Sequence, residues 1–128
     1  MQILLDTNAL LWFVEGSERL SETARRHFED TGHDLFLSAA SIWEMAIKIS
    51  LGKLQVPLPL GDFIQTQTEL SGIGLLPVTE RHAYEIANLP FHHRDPFDRM
   101  LAAQCKTEQL AIISPDSSFD TYGVNRVW

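Results

Sequence analysis

The sequence predicts an α/β fold of three layers: a central, mainly parallel sheet of four to five strands flanked by helices. Three observations predict it. Apolar runs of strand length recur along the chain, stretches of helical periodicity separate them, and no repeat, low-complexity tract or linker interrupts the alternation. Strands divided by helices imply right-handed crossovers and a sheet covered on both faces. The 128 residues and 45% hydrophobic content suit one domain over residues 1–128, and would starve two.

Gln2 to Leu5 is a short apolar run that stops at Asp6-Thr7-Asn8, and the apolar stretch Ala9 to Val14 closes at Gly16. This predicts a buried strand, a turn and a short helix, with Asp6 at the strand's carboxyl end. Ser21 caps a helix to about Asp30, with Leu20, Ala24 and Phe28 on one side and Arg25, Arg26 and Glu29 on the other. Leu35 to Leu37 makes a second strand. Ser38 or Ser41 then starts a helix that turns Ile42, Met45, Ala46 and Ile49 inward, carries Glu44 in its early turns and ends at Gly52. Pro57, Pro59 and Gly61 mark a connector, Asp62 to Leu70 a helix, Leu75 to Val78 a third strand, and Thr79 the cap of a helix to about Leu89. Pro90 to Arg94 reads as a loop. Asp95 is the N-cap, and Pro96 the first residue, of a helix to about Glu108. Leu110 to Ile113 is a fourth strand ending at Ser114-Pro115-Asp116, and Val124 to Val127 a last short one.

No run approaches the roughly 18 apolar residues of a membrane span, and the first residues lack the basic start and apolar stretch of a signal peptide. A soluble cytoplasmic protein with no membrane partner is expected. The lone Cys105 has no disulfide partner in the chain and no zinc-site companion, so it reads as a small buried hydrophobe. The net charge of -7 argues against binding nucleic acid through bulk electrostatics, which calls for an excess of Lys and Arg.

In an open parallel sheet, ligands bind beyond the carboxyl ends of the strands, where both Asp6 and Asp116 stand. Glu44 and Asp98 lie near helix starts, which in a βα unit open at the same edge. Four acids from four distant segments are therefore expected to converge. Crowded carboxylates repel and raise one another's pKa unless a positive group joins them. A hard dication meets that need, since Mg2+ or Mn2+ prefers oxygen ligands and keeps several waters. Such an ion acidifies a bound water, and a second about 4 Å away stabilises the leaving oxygen of an in-line displacement. Thr7, Asn8 and Ser114 are expected to orient carboxylates or water, with turn-forming and capping as equally good alternatives.

Each acid also has a structural explanation. Glu44 precedes Lys48 by four residues, the favourable order for a helix-surface ion pair. Asp98 stands three residues after Asp95, as the back-reaching member of a capping box would. Asp116 fits as the cap of a short helix across Ser117 to Asp120. Asp6 is hardest to explain this way, because an Asp closing a buried apolar strand is costly unless paired or coordinated. Asp95 stays outside the metal set as an N-cap, with Arg99 four residues on as a second partner. The histidines form no zinc motif, and His92 and His93 read as part of a solvated loop. Trp12, Trp43 and Trp128 read as core or dimer-contact aromatics rather than base-stacking platforms.

Four segments together resemble PIN-domain proteins, and more narrowly VapC-type toxins of type II toxin-antitoxin systems. They are Leu4-Leu5-Asp6-Thr7-Asn8-Ala9-Leu10; Ser38-Ala39-Ala40-Ser41-Ile42-Trp43-Glu44 with Lys48 and Gly52-Lys53-Leu54; His93-Arg94-Asp95-Pro96-Phe97-Asp98-Arg99-Met100-Leu101-Ala102; and Ser114-Pro115-Asp116. The likeness runs in order from residue 2 to the end. It implies a PIN-like fold and a Mg2+- or Mn2+-dependent endoribonuclease with Asp6, Glu44, Asp98 and Asp116 as its acidic quartet, leaving 5′-phosphate and 3′-hydroxyl ends. It also implies a homodimer held inactive by a small VapB-like antitoxin whose tail occupies the active-site groove. Ser114 stands where Thr is common in the family, and Cys105 where Ala is usual. Bound dications would offset the acidic pocket locally, so that a few basic residues guide the RNA substrate without a basic total; Lys48, Lys53, Arg94 and Arg99 are the candidates.

Two other readings compete. A phosphohydrolase with Asp6 as the nucleophile would want a second Asp where Asn8 stands, or a Lys where Pro115-Asp116 stands. A non-catalytic binding protein of similar fold would use the acids only to hold a basic partner.

Overall fold

The computed structural model describes residues 1–128. Its elements follow in the order β1 (Gln2–Leu5), α1 (Thr7–Glu15), α2 (Glu22–Glu29), β2 (Asp34–Ser38), α3 (Ala39–Ser50), α4 (Leu60–Ser71), β3 (Gly74–Leu76), α5 (Glu80–Asn88), α6 (Pro96–Glu108), β4 (Ala111–Ile113), α7 (Ser118–Thr121) and β5 (Arg126–Val127). All strand pairs are parallel, in the order β3-β2-β1-β4-β5. The three-layer α/β expectation therefore holds, with five strands.

The strand order decides where a site can form. From β1 the chain moves outward through β2 and β3, then returns to the other side of β1 with β4 and β5. The order of travel reverses between β1 and β4, and a crevice opens there beyond the carboxyl ends of the strands. Asp6 closes β1, and Ser114 follows β4 directly.

Side-chain alternation divides the core between the two faces of the sheet. Ile3, Leu5, Leu35, Leu37, Ala111 and Ile113 pack with Leu10, Ala24, Phe28, Met45 and Phe63 on one face. Leu4 and Ile112 pack with Leu101, Ala102, Phe119 and Tyr122 on the other. Cys105 is buried in this second cluster, and its thiol is pushed up by desolvation, as a small core side chain should be.

Local chemistry sets the helix ends near the crevice. Asp6 caps α1, accepting from the Asn8 and Ala9 amides, while Ser38 rather than Ser41 caps α3 through the Ala40 amide. α1 stops at Gly16 in the left-handed region (φ 68). The third strand is shorter and begins earlier than the apolar run suggests. It stops before Pro77, which has no N–H to donate, and it includes Gly74, where a Cβ would meet the Phe36 ring at 3.1 Å. The fifth strand is only Arg126–Val127, because Val124 is drawn into the core beside Phe119 and Tyr122. No helix is long and apolar enough to cross a membrane.

Candidate metal centre

Asp6 is 6% exposed, and both its oxygens are engaged. Oδ1 accepts the Asn8 amide at 2.8 Å and the Ala9 amide at 3.4 Å, and Oδ2 accepts the Ser114 hydroxyl at 2.9 Å. Ser114 Oγ in turn accepts the Asp116 amide at 3.0 Å. This small side chain thus ties the end of β1 to the turn after β4 across the switch point. Asn8 contributes its backbone rather than its exposed side chain. Thr7 Oγ1, buried next to Asp6 in the chain, has no partner within the protein.

Glu44 points from the second turn of α3 and pairs with Lys48 at 3.1 Å, so the surface ion pair expected from their spacing forms. It does not remove Glu44 from the pocket, since the charge of Glu44 raises the pKa of both Asp6 and Asp98. Asp98 lies in the first turn of α6, whose cap is Asp95 accepting the Phe97 and Asp98 amides at 2.8 and 3.1 Å. Asp116 Oδ1 accepts the Ser118 amide at 2.9 Å, so its capping contact also forms.

The electrostatics show how closely the acids crowd. Burial pushes the Asp6 carboxyl up, against the Ser114, Asn8 and Ala9 hydrogen bonds. Burial also lifts Asp98, to about 7, with the charges of Asp95, Asp6, Asp116 and Glu44 adding to it. Asp116 feels burial in the same sense, but the Ser118 amide and the His93 ring outweigh it and hold its carboxyl below the usual range.

Two expectations are corrected. His93 is not a solvated loop residue: its Nε2 lies 3.4 Å from Asp98 Oδ2 and 3.2 Å from Asp116 Oδ2. Its Nδ1 accepts the Asp95 amide at 2.9 Å, the contact that a back-reaching Asp98 would have made in a capping box. No periodicity singles out His93, and the one available signal was its place two residues before an N-cap. Arg99 is the second correction. It neither pairs with Asp95 nor reaches solvent for RNA, because it is buried, donates to Pro90 O at 3.0 Å and Ile86 O at 3.4 Å, and stands 4.6 Å over the Phe91 ring. Trp43, 64% exposed and edge-on to Phe97, lies outside the core, which leaves the dimer-contact alternative of its sequence reading. Arg94 and Lys53 are exposed.

The donor set suits a hard dication. The available groups are carboxyl oxygens, two of them held above the usual range by burial and by neighbouring carboxylate charge, with the unpartnered Thr7 hydroxyl alongside.

Fold and pocket define an α/β domain with a carboxylate-lined site at the switch point of a parallel sheet. The chain belongs to the PIN domain family, whose profile matches residues 3–125. It is 35% identical over 66 residues to Ribonuclease VapC16 of Mycobacterium tuberculosis (strain ATCC 25618 / H37Rv), a match covering 52% of this chain and 46% of that protein. The chain thus spans about half the length of the curated relative it matches. Among solved structures it is similar to VapBC2 from Rickettsia felis bound to a promoter DNA fragment, with a TM-score of 0.71 at 11% identity over 100% of both chains. It is also similar to FitAcB from Neisseria gonorrhoeae, with a TM-score of 0.65 at 22% identity over 97% of this chain and 95% of that one. DNA-bound VapBC from Salmonella typhimurium gives 0.68 at 15% identity over 98% and 96%. At these identities the likeness to the solved structures is one of fold.

Proposed function

We propose that the chain is a VapC-type toxin, an endoribonuclease that hydrolyses RNA phosphodiester bonds at Asp6, Glu44, Asp98 and Asp116 with Mg2+ or Mn2+. The observation that carries the reading is the convergence at the switch point: the Ser114 hydroxyl joins Asp6 to the turn that carries Asp116, and one imidazole lies 3.4 Å from Asp98 and 3.2 Å from Asp116, with Glu44 adding its charge to Asp6 and Asp98. Family membership and a relative named as a ribonuclease support RNA as the substrate. When bound, the dication supplies Lewis acidity toward a phosphoryl oxygen and acidifies a water. The chain's part is to hold its ligands. Ser114 and the Asn8 and Ala9 amides fix both oxygens of Asp6, the Ser118 amide fixes one oxygen of Asp116, and Lys48 steadies Glu44. Arg94 and Lys53 are the exposed cations left to meet the RNA backbone.

The solved relatives are named as VapBC and FitAcB complexes, which supports a small VapB-like antitoxin as partner, in the cytoplasm. A homodimer is the proposed assembly, and the exposed Trp43, Val78 and Tyr84 give this monomer apolar surface for it.

Asp6→Asn tests the reading. It keeps the shape of the side chain but loses the charge, so Mg2+-dependent cleavage of RNA should fall by more than about 100-fold, beyond the range for groups that merely support a ligand, with the circular dichroism spectrum unchanged. Equal cleavage by the two proteins would refute it.

A further inference from the structure

The imidazole of His93 sits among the acids without being one of them. Its Nδ1 accepts the Asp95 N–H at 2.9 Å, so that nitrogen carries no proton, and the neutral ring holds its single proton on Nε2. Nε2 faces Asp98 Oδ2 at 3.4 Å and Asp116 Oδ2 at 3.2 Å. The three ligand-type atoms lie within 4.8 Å of one another, yet the ring in this pose is a poor metal ligand. A cation on Nε2 would send the proton to Nδ1, where the Asp95 N–H already points.

The loop carrying His93 is anchored on several sides. The His93 N–H donates to Tyr122 Oη at 3.0 Å, Arg99 holds Pro90 O and covers Phe91, and Asp95 caps α6. The ring therefore offers a fixed donor. Asp98 and Asp116 come from different elements, the start of α6 and the turn after β4, and two carboxylates cannot hold each other. A single donor between them can. It leaves lone pairs free, because a carboxylate offers about four acceptor positions, and no hydrogen bond from the protein to the Asp98 side chain competes with this contact.

We infer that His93 is a positioning residue for the metal centre: its Nε2–H dipole, set between Asp98 and Asp116, holds the two carboxylates at their separation before a cation arrives. This rests on the metal reading of the site, and binding measured without RNA separates the two. The intact protein is titrated with Mn2+ by calorimetry, and free Mn2+ is followed by electron paramagnetic resonance, for wild type, H93A, H93Q, H93M and D98N. Circular dichroism checks each fold. H93A should lose about 10- to 100-fold in Mn2+ affinity, the range for partners that orient ligands. H93Q, whose amide can donate to the same oxygens, should recover most of it. H93M fills the space without a donor and should resemble H93A, so the comparison of Met with Gln carries the test if H93A fails to fold. Wild-type affinity in H93A or H93M overturns the inference. Tighter binding also overturns it, by making the imidazole a competitor of the cation. If wild type takes up no Mn2+ and D98N changes nothing, the metal reading itself falls.

Discussion

The two acids with raised pKa should make the metal-free protein lose stability as pH rises toward neutral. A group whose folded pKa lies above its unfolded value contributes stability that is fully present below the unfolded value and is lost as pH rises through the folded one. For Asp98 that window runs from 3.8 to about 7. At about 1.4 kcal/mol per unit the ceiling is about 4 kcal/mol, and roughly half is expected because the carboxyl is partly solvated and its interactions are screened. Without metal, the melting temperature should fall from pH 5 to pH 8, and Asp98→Asn should flatten that slope and raise the value at pH 8. Scanning calorimetry in chelator checks this, and an unchanged slope in the variant would contradict it. Asp116, held below its usual range, acts at lower pH and leaves the window clear. Ser114 offers a second residue-scale test. Ser114→Ala removes a donor from Asp6 and an acceptor from the Asp116 amide, and should cost about 1–3 kcal/mol in urea unfolding. Ser114→Thr, which retains a hydroxyl, should cost much less.

Between elements, Arg99 connects α6 to the end of α5 and to the loop that follows it, through the carbonyls of Ile86 and Pro90. Arg99→Ala should destabilise the protein by about 2–3 kcal/mol and weaken Mn2+ binding through the His93 loop, as urea unfolding and calorimetry would show. A surface arginine would do neither. Arg99 also marks the limit of what sequence reveals about elements. The caps Ser21 and Asp95, and the strands Gln2–Leu5 and Ala111–Ile113, are legible because a cap or a buried run is a local pattern, whereas the cap made by Asp6 is hidden behind its place at a strand end. The carboxylates at strand ends and helix starts are legible because topology fixes which edge they share. Arg99 and His93 are not, since the burial of one and the bridging by the other depend on how residues 90–94 fold back over Tyr122. No periodicity encodes that path.

For the whole molecule, the net charge of -7 and the withdrawal of Arg99 into the fold leave few cations for a polyanion. If the chain binds RNA as proposed, with Lys48 paired and only Arg94 and Lys53 free among the expected contacts, about two phosphates would be neutralised. The logarithm of RNA affinity against that of salt concentration should then have a slope near -1.4, at about 0.7 per phosphate on single strands. A slope beyond about -4 would mean a basic surface elsewhere on the molecule. The strand order adds a consequence in time. Ser114 touches Asp6 across 108 positions of chain, and β4 must settle beside β1 before that contact exists. A chain still emerging from the ribosome therefore lacks the pocket until β4 and Ser114 have been made. If the chain attacks RNA, its own message and translating ribosome are spared during synthesis, and an antitoxin has that interval in which to be ready.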